Sequence, residues 1–123
     1  MRVRFSTPTG DAVVTVEVAD TKAVITKGLS ERTSLAPDAG MLFFMGVEKD
    51  HHFWMKDTWI PLDMIWLSKD LKVVGIQHNA QPRTETSRFA GKPSLYVLEV
   101  NGGWCKAHGV HADAHVTFEN VKL

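Results

Sequence analysis

His52-Phe53-Trp54-Met55-Lys56-Asp57-Thr58-Trp59-Ile60-Pro61-Leu62-Asp63-Met64-Ile65-Trp66-Leu67 gathers three of the chain's four tryptophans around two acids, a lysine and a proline. It reads as two strand-like apolar runs joined by a polar turn. Each run carries an ionisable residue in a setting expected to be largely dry. A charge placed there costs several kcal/mol, roughly, unless it finds a partner. The partner nearest in type is Glu99, in a later apolar run.

Lys56, Asp63 and Glu99 each have apolar or aromatic neighbours at two-residue spacing: Trp54, then Ile65 and Leu67, then Val97 and Leu95. Strand alternation therefore turns all three inward, and mutual pairing is the arrangement that costs least. Such a group is either a buried structural ion network or a set that orients a ligand or moves a proton. In the turn between the runs, Pro61 fixes its own φ and holds Ile60 out of the helical region. Asp57 and Thr58 there either satisfy turn amides or, with the rings of Trp54 and Trp59, form a platform for a sugar, a peptide or a planar ligand.

Outward from this stretch the chain is rich in strands. Val3 and Phe5 alternate with Arg2 and Arg4, and Val14, Val16 and Val18 with Val13, Thr15 and Glu17. The turn Pro8-Thr9-Gly10-Asp11 makes the two a hairpin. Asp20 is placed to cap a short helix from Thr21 to about Leu29 that buries Val24, Ile25 and Leu29, with Gly28 marking its end or a close approach. A loop from Ser30 leads to Met41–Met45, a continuous apolar run expected to be covered on both faces. Gly46–Asp50 reads as a turn, Leu71–Ile76 as the hairpin partner of the central run, and Gln77–Lys92 as a long surface loop. In the last third, Leu95, Val97 and Glu99 share one strand face and Tyr96, Leu98 and Val100 the other. Asn101 is placed to cap a short helix holding Trp104 and Cys105 and closed by Gly109. Val116 and Phe118 mark a final strand.

About eight short strands and two short helices define an α+β fold, a single domain over residues 1–123 with a mostly antiparallel, curled or barrel-like sheet. That length suits one core. Fourteen basic residues balance fourteen acidic ones, so no net field favours nucleic acid or an anionic membrane. No apolar run is long enough to span a membrane. The chain reads as cytoplasmic, and one from which an export signal had been removed would read the same. A lone cysteine rules out an internal disulfide.

Six histidines raise the question of a metal. His108, His111 and His115 cluster near Cys105, but Gly109 separates the first from the others, and the adjacent His51 and His52 point opposite ways on a strand. No metal and no cofactor is expected. Cys105 beside His108 reads as a helix-packing residue, with a thiolate nucleophile as the alternative.

Gly28-Leu29, Gly40-Met41-Leu42-Phe43, Phe53-Trp54-Met55-Lys56-Asp57-Thr58, Ile60-Pro61-Leu62-Asp63 and Leu98-Glu99-Val100-Asn101-Gly102-Gly103, in this order, resemble an uncharacterised prokaryotic family, domain of unknown function 192. The resemblance runs from about Thr21 to Val116. Asp57 stands where the family usually has Asn, and Glu99-Val100-Asn101 departs mildly from its Glu-Leu pattern. The resemblance implies a compact α+β domain with a barrel-like sheet and one neighbourhood for Trp54, Lys56, Thr58, Pro61, Asp63, Glu99 and Gly102. It supplies no substrate, cofactor or catalytic residue.

The reading adopted is a monomeric, non-catalytic ligand-binding module with its site at Trp54, Lys56, Asp57, Thr58, Trp59, Asp63 and Glu99, for a small molecule, sugar or peptide. One alternative is a hydrolase or lyase using Asp63 or Glu99 as general base with Lys56 as electrostatic stabiliser. The other is a structural or protein-interaction domain whose interface is the Gln77–Lys92 loop.

Overall fold

Seven strands and two short helices make up residues 1–122, the part of the chain that the computed structural model describes. In chain order they are β1 (Arg2–Thr7), β2 (Gly10–Ala19), α1 (Lys22–Lys27), β3 (Ala39–Lys49), β4 (Leu62–Leu67), β5 (Val73–Ala80), β6 (Ser94–Asn101), α2 (Trp104–His108) and β7 (Val116–Glu119). They form one sheet in the order β5-β4-β6-β3-β2-β1-β7, antiparallel at every step except the parallel β2–β3 pair. The sheet curls into a half-barrel. Its two edges meet at one corner, where Lys72 bridges His115 and the Val73 N–H donates to the Ala114 carbonyl at 3.0 Å.

Parallel neighbours need a crossover, and residues 20–38 supply it. This carries α1 and the following loop across the outer face of the sheet. There Leu29, Met41, Phe43, Met55, Met64, Trp66 and Val97 form one apolar cluster. The opposite face, inside the curl, holds a second cluster that includes Val3, Phe5, Leu42, Ile65, Leu98 and Trp104. β4 and the middle of β3 and β6 are thus covered on both sides; of the run Met41–Met45 expected to be so, Met41–Phe43 are buried and Phe44 and Met45 only partly. Every residue of β4 is buried.

Several local expectations need correcting. The first apolar run of the central stretch is not a strand: residues 51–61 are irregular, with a single bridge from Phe53 to Arg88. Of the expected turn at Gly46–Asp50, Gly46–Lys49 are instead the far part of β3, which a register shift beyond Phe44 and a positive φ of 77° at Gly46 carry onward. Thr21, not Asp20, caps α1, its hydroxyl accepting from the Val24 N–H at 3.3 Å. Val24 stays exposed on that short helix.

The largest correction concerns α2. Asn101 does not cap it; the Asn101 amide donates to the Leu35 and Ala36 carbonyls. Gly103, left-handed at φ 90°, occupies the cap position without a side chain to use. Asp63, fully buried on β4, does the capping from across the curl. One carboxylate oxygen accepts the Gly103 N–H at 3.0 Å and the Asn79 N–H at 2.8 Å, and the other accepts the Cys105 N–H at 2.9 Å. These bonds satisfy free amides at the helix start and place a negative charge where a helix favours it.

Replacing Asp63 with Ala leaves three backbone donors without their acceptor and is expected to cost about 2–5 kcal/mol of stability, with Asn costing less because it restores one acceptor oxygen. Urea unfolding of the two variants checks this. A change below roughly 0.5 kcal/mol for the alanine variant would contradict the cap.

Candidate functional site

Alternation along β4 and β6 places the two central acids on opposite sides of the sheet. Asp63 shares a face with Ile65 and Leu67, which point to the interior of the curl. Glu99 is directly paired with Met41 on β3 and Met64 on β4, both in the outer cluster. The expected convergence of Lys56, Asp63 and Glu99 therefore does not occur. Asp63 and Glu99 are turned inward as alternation implied, but onto opposite faces of the sheet, and Lys56 lies on no strand and is exposed.

Glu99 lies on the side where α1 and residues 52–58 cross the sheet, and it opens on a cleft of about 210 Å³. The last turn of α1, from Ile25 to Gly28, forms one wall. Phe43, Met45 and Phe53 line the apolar part, and Trp54, Lys56 and Thr58 complete the lining. Gly28 is required here: its φ is +49°, and a Cβ would sit 3.3 Å from the Phe43 ring. Phe53 meets Phe43 edge to face with centroids 5.2 Å apart.

Residues 53–58 are not held by a strand ladder, so another segment must satisfy their backbone. The loop after β5 does so. Phe53 and Arg88 exchange backbone hydrogen bonds, the Met55 N–H donates to Thr84, and the Arg83 N–H donates to the Thr58 carbonyl. Met55 is fully buried between these segments while Trp54 remains 53 % exposed. The Lys56 ammonium lies 5.3 Å from the centre of the Trp54 ring, a cation–π contact at the cleft's edge, and Lys56 itself is exposed. Thr58 is buried and donates to the Lys56 carbonyl at 3.3 Å.

Glu99 is 5 % exposed, and among the described residues its carboxyl has no hydrogen-bond donor and no neighbouring cation. Burial alone pushes its pKa from 4.5 to about 8. Every fully covered side-chain N or O among the described residues has a partner, so the lone Glu99 oxygens must reach the cleft.

Of the residues expected at the site, Trp54, Lys56, Thr58 and Glu99 share this cleft. Asp63 does not, because α2 and β5 use its oxygens on the other face. Trp59 is half-exposed outside the cleft, under the Arg83 guanidinium at 5.3 Å. Asp57 is exposed with φ 56°, and its carbonyl accepts the Glu31 N–H. Asn and Asp both tolerate that left-handed conformation, which accounts for Asp in place of the Asn that the resemblance led one to expect. Pro61 and Gly102 join Asp63 at the α2 end, where the Gly102 N–H donates to the Pro61 carbonyl at 3.0 Å. The single neighbourhood implied by the resemblance is thus two, back to back through the sheet. Gly28, Phe43, Met45 and Phe53 were not expected at the site, although all but Met45 stand in the quoted segments of that resemblance.

His108 stacks against Trp104 at 4.5 Å, and its Nε2 lies 3.5 Å from Asp38. No group of three or more His, Cys, Asp or Glu among the described residues is arranged to hold a metal ion. Cys105 is fully buried, and burial together with the Asp63 carboxylate pushes its thiol pKa up, away from a thiolate. Among the described residues no helix is long and apolar enough to cross a membrane.

The fold and cleft define a class: a small half-barrel α+β domain with a one-sided pocket floored by a lone acid. The chain belongs to the DUF192 family, described as an uncharacterised ACR, COG1430, whose profile matches residues 4–118. Two crystal structures are similar over nearly the whole chain. One, a protein of unknown function from Novosphingobium aromaticivorans DSM 12444, gives a TM-score of 0.92 at 37 % identity over 96 % of this chain and 84 % of that one. The other, from Sinorhizobium meliloti 1021 and provisionally described as a transcription regulator, gives 0.90 at 38 % identity over 94 % and 91 %. No curated protein matches.

A carboxyl that stays protonated in the folded chain but not in the unfolded one destabilises the fold as pH rises. For Glu99 the loss runs from about pH 4.5 to about 8, at a slope of up to ~1.4 kcal/mol per unit, and is complete above that window. Glu99→Gln abolishes this contribution, so the variant should gain on the parent protein steadily from pH 5 to pH 8 in denaturant midpoint. Parallel pH profiles for the two proteins would contradict the lone buried carboxyl.

Proposed function

We propose that this domain is a non-catalytic ligand-binding module whose ligand occupies the cleft between α1 and residues 52–58. One observation carries the reading: Glu99 is almost wholly buried, faces open space and has no partner among the described residues. Polar groups removed from water are ordinarily hydrogen-bonded, and an exception in a concave, aromatic-lined site suits a group awaiting a ligand. Trp54, Lys56 and Thr58 add an aromatic face, a charge and a hydroxyl at the same opening.

A second reading has support from the same residue. A carboxyl titrating near pH 8 suits proton transfer at neutral pH, so a hydrolase or lyase would use Glu99 as its acid or base with Lys56 as stabiliser. Asp63 is a poor choice for that part, with both oxygens already engaged by amides. The regulator description of the Sinorhizobium meliloti relative gains nothing from charge, since equal numbers of acids and bases give no general attraction to phosphates.

An NMR fragment screen on the intact protein separates these ideas. Binding to the cleft predicts that hits shift the amides of Phe53, Trp54, Thr58 and Glu99 together, without chemical conversion of the fragment. Hits confined to the far face around α2 would contradict the reading, and turnover lost in Glu99→Gln would favour the enzyme.

A further inference from the structure

The cleft's charges are arranged in depth. A buried acid forms the floor, and a lysine stands at the rim above an indole. The wall between them includes the C-terminal turn of α1, where a helix presents free carbonyls and partial negative charge. Phe43 and Phe53 complete the inner surface with ring faces and edges. An unpaired carboxyl, carbonyl dipoles and aromatic rings are all complementary to a cation. Neither lysine of the lining fills that role: the Lys56 ammonium is held over Trp54, and neither Lys56 nor Lys27 makes an ion pair with Glu99.

Resting on the binding role proposed above, we infer that the cleft takes an amino-acid-like zwitterion, its ammonium seated against Glu99 and its carboxylate turned outward to Lys56. Size agrees with this. About 210 Å³ lies below the roughly 300–1,000 Å³ of pockets for drug-sized ligands, and suits a group the size of one amino acid. The inference also gives the Glu99 proton a destination. In the empty cleft near neutral pH the carboxyl is mostly protonated, and an arriving ammonium favours the carboxylate, so the proton leaves to buffer. A ligand that accepted a hydrogen bond from neutral Glu99 would release none. The other charged or titratable groups facing the cleft are Lys27 at the end of α1, and His52 and Lys56 on the crossing segment.

Isothermal titration calorimetry of the full chain at pH 7 tests this, with the twenty L-amino acids as probes and glucose and acetate as the uncharged and purely anionic comparisons. Each titration is run in phosphate and in Tris, whose different ionisation heats count released protons. The expected result is saturable binding of at least one amino acid with close to one proton released. Glu99→Gln should bind it at least about tenfold more weakly and release no proton, which separates Glu99 from His52. Lys56→Ala should weaken the amino acid but not its methyl ester. Binding of glucose or acetate alone, or amino-acid binding that survives intact in Glu99→Gln, overturns the zwitterion and leaves a ligand-binding cleft standing. No binding of any probe, together with no cleft-centred hit in the fragment screen, removes both.

Discussion

The middle of the sheet, around β4, is covered on both faces, and that constraint sets the terms for the acids placed there. There are two, and each is accommodated differently. Asp63 faces the interior of the curl and is surrounded by backbone amides, three of which it engages. Those bonds hold the start of α2 and the end of β5 against β4. Glu99 faces the other way, between Met41 and Met64, and has no such surroundings. It keeps its proton instead. One carboxyl has both oxygens engaged by backbone amides, which makes it structural. The other is buried and, among the described residues, has no hydrogen-bond donor, and it is the group on which the proposed binding role rests.

The geometry around Glu99 depends on parts far apart in the chain. The β2–β3 crossover places α1 over the outer face, and the positive φ of Gly28 lets the chain leave the helix against the Phe43 ring. Residues 53–58 have no strand partner of their own and rely on the loop from Arg83 to Arg88 for their backbone hydrogen bonds. That loop thereby contributes to the cleft without lending a side chain to its floor. A change in it can therefore alter the position of Trp54 and Lys56 without touching the sheet.

Much of this was legible in the sequence because strand alternation is a local signal. The β1–β2 hairpin follows from Val3, Phe5, Val14 and Val16, and the two faces of β6 from Leu95 to Val100 fall as their spacing implies. The errors share a cause: local signals cannot report what a distant segment contributes. Trp54 and Lys56 have the spacing of a strand, yet the loop after β5 holds them as an irregular crossing. Asn101 is a good cap by type, yet Asp63 reaches the helix first. Alternation turned both Asp63 and Glu99 inward but could not say that the sheet has two insides. The neighbourhood implied by the resemblance contained Trp54, Lys56, Thr58 and Glu99, which line the cleft, but merged them with Pro61, Asp63 and Gly102 on the opposite face and left out Gly28, Phe43 and Phe53.

The central claim is that the Glu99 carboxyl is almost wholly buried at the floor of the cleft and, among the described residues, has no donor or cation for a partner. Carbon-13 NMR of the side-chain carboxyl, followed across pH in the folded protein, measures this at the atom concerned. The account predicts a midpoint near pH 8 for Glu99 while exposed acids titrate in the ordinary range. A midpoint near 4.5 would mean that water or a protein cation reaches the carboxyl, and the cleft would lose the feature that sets it apart.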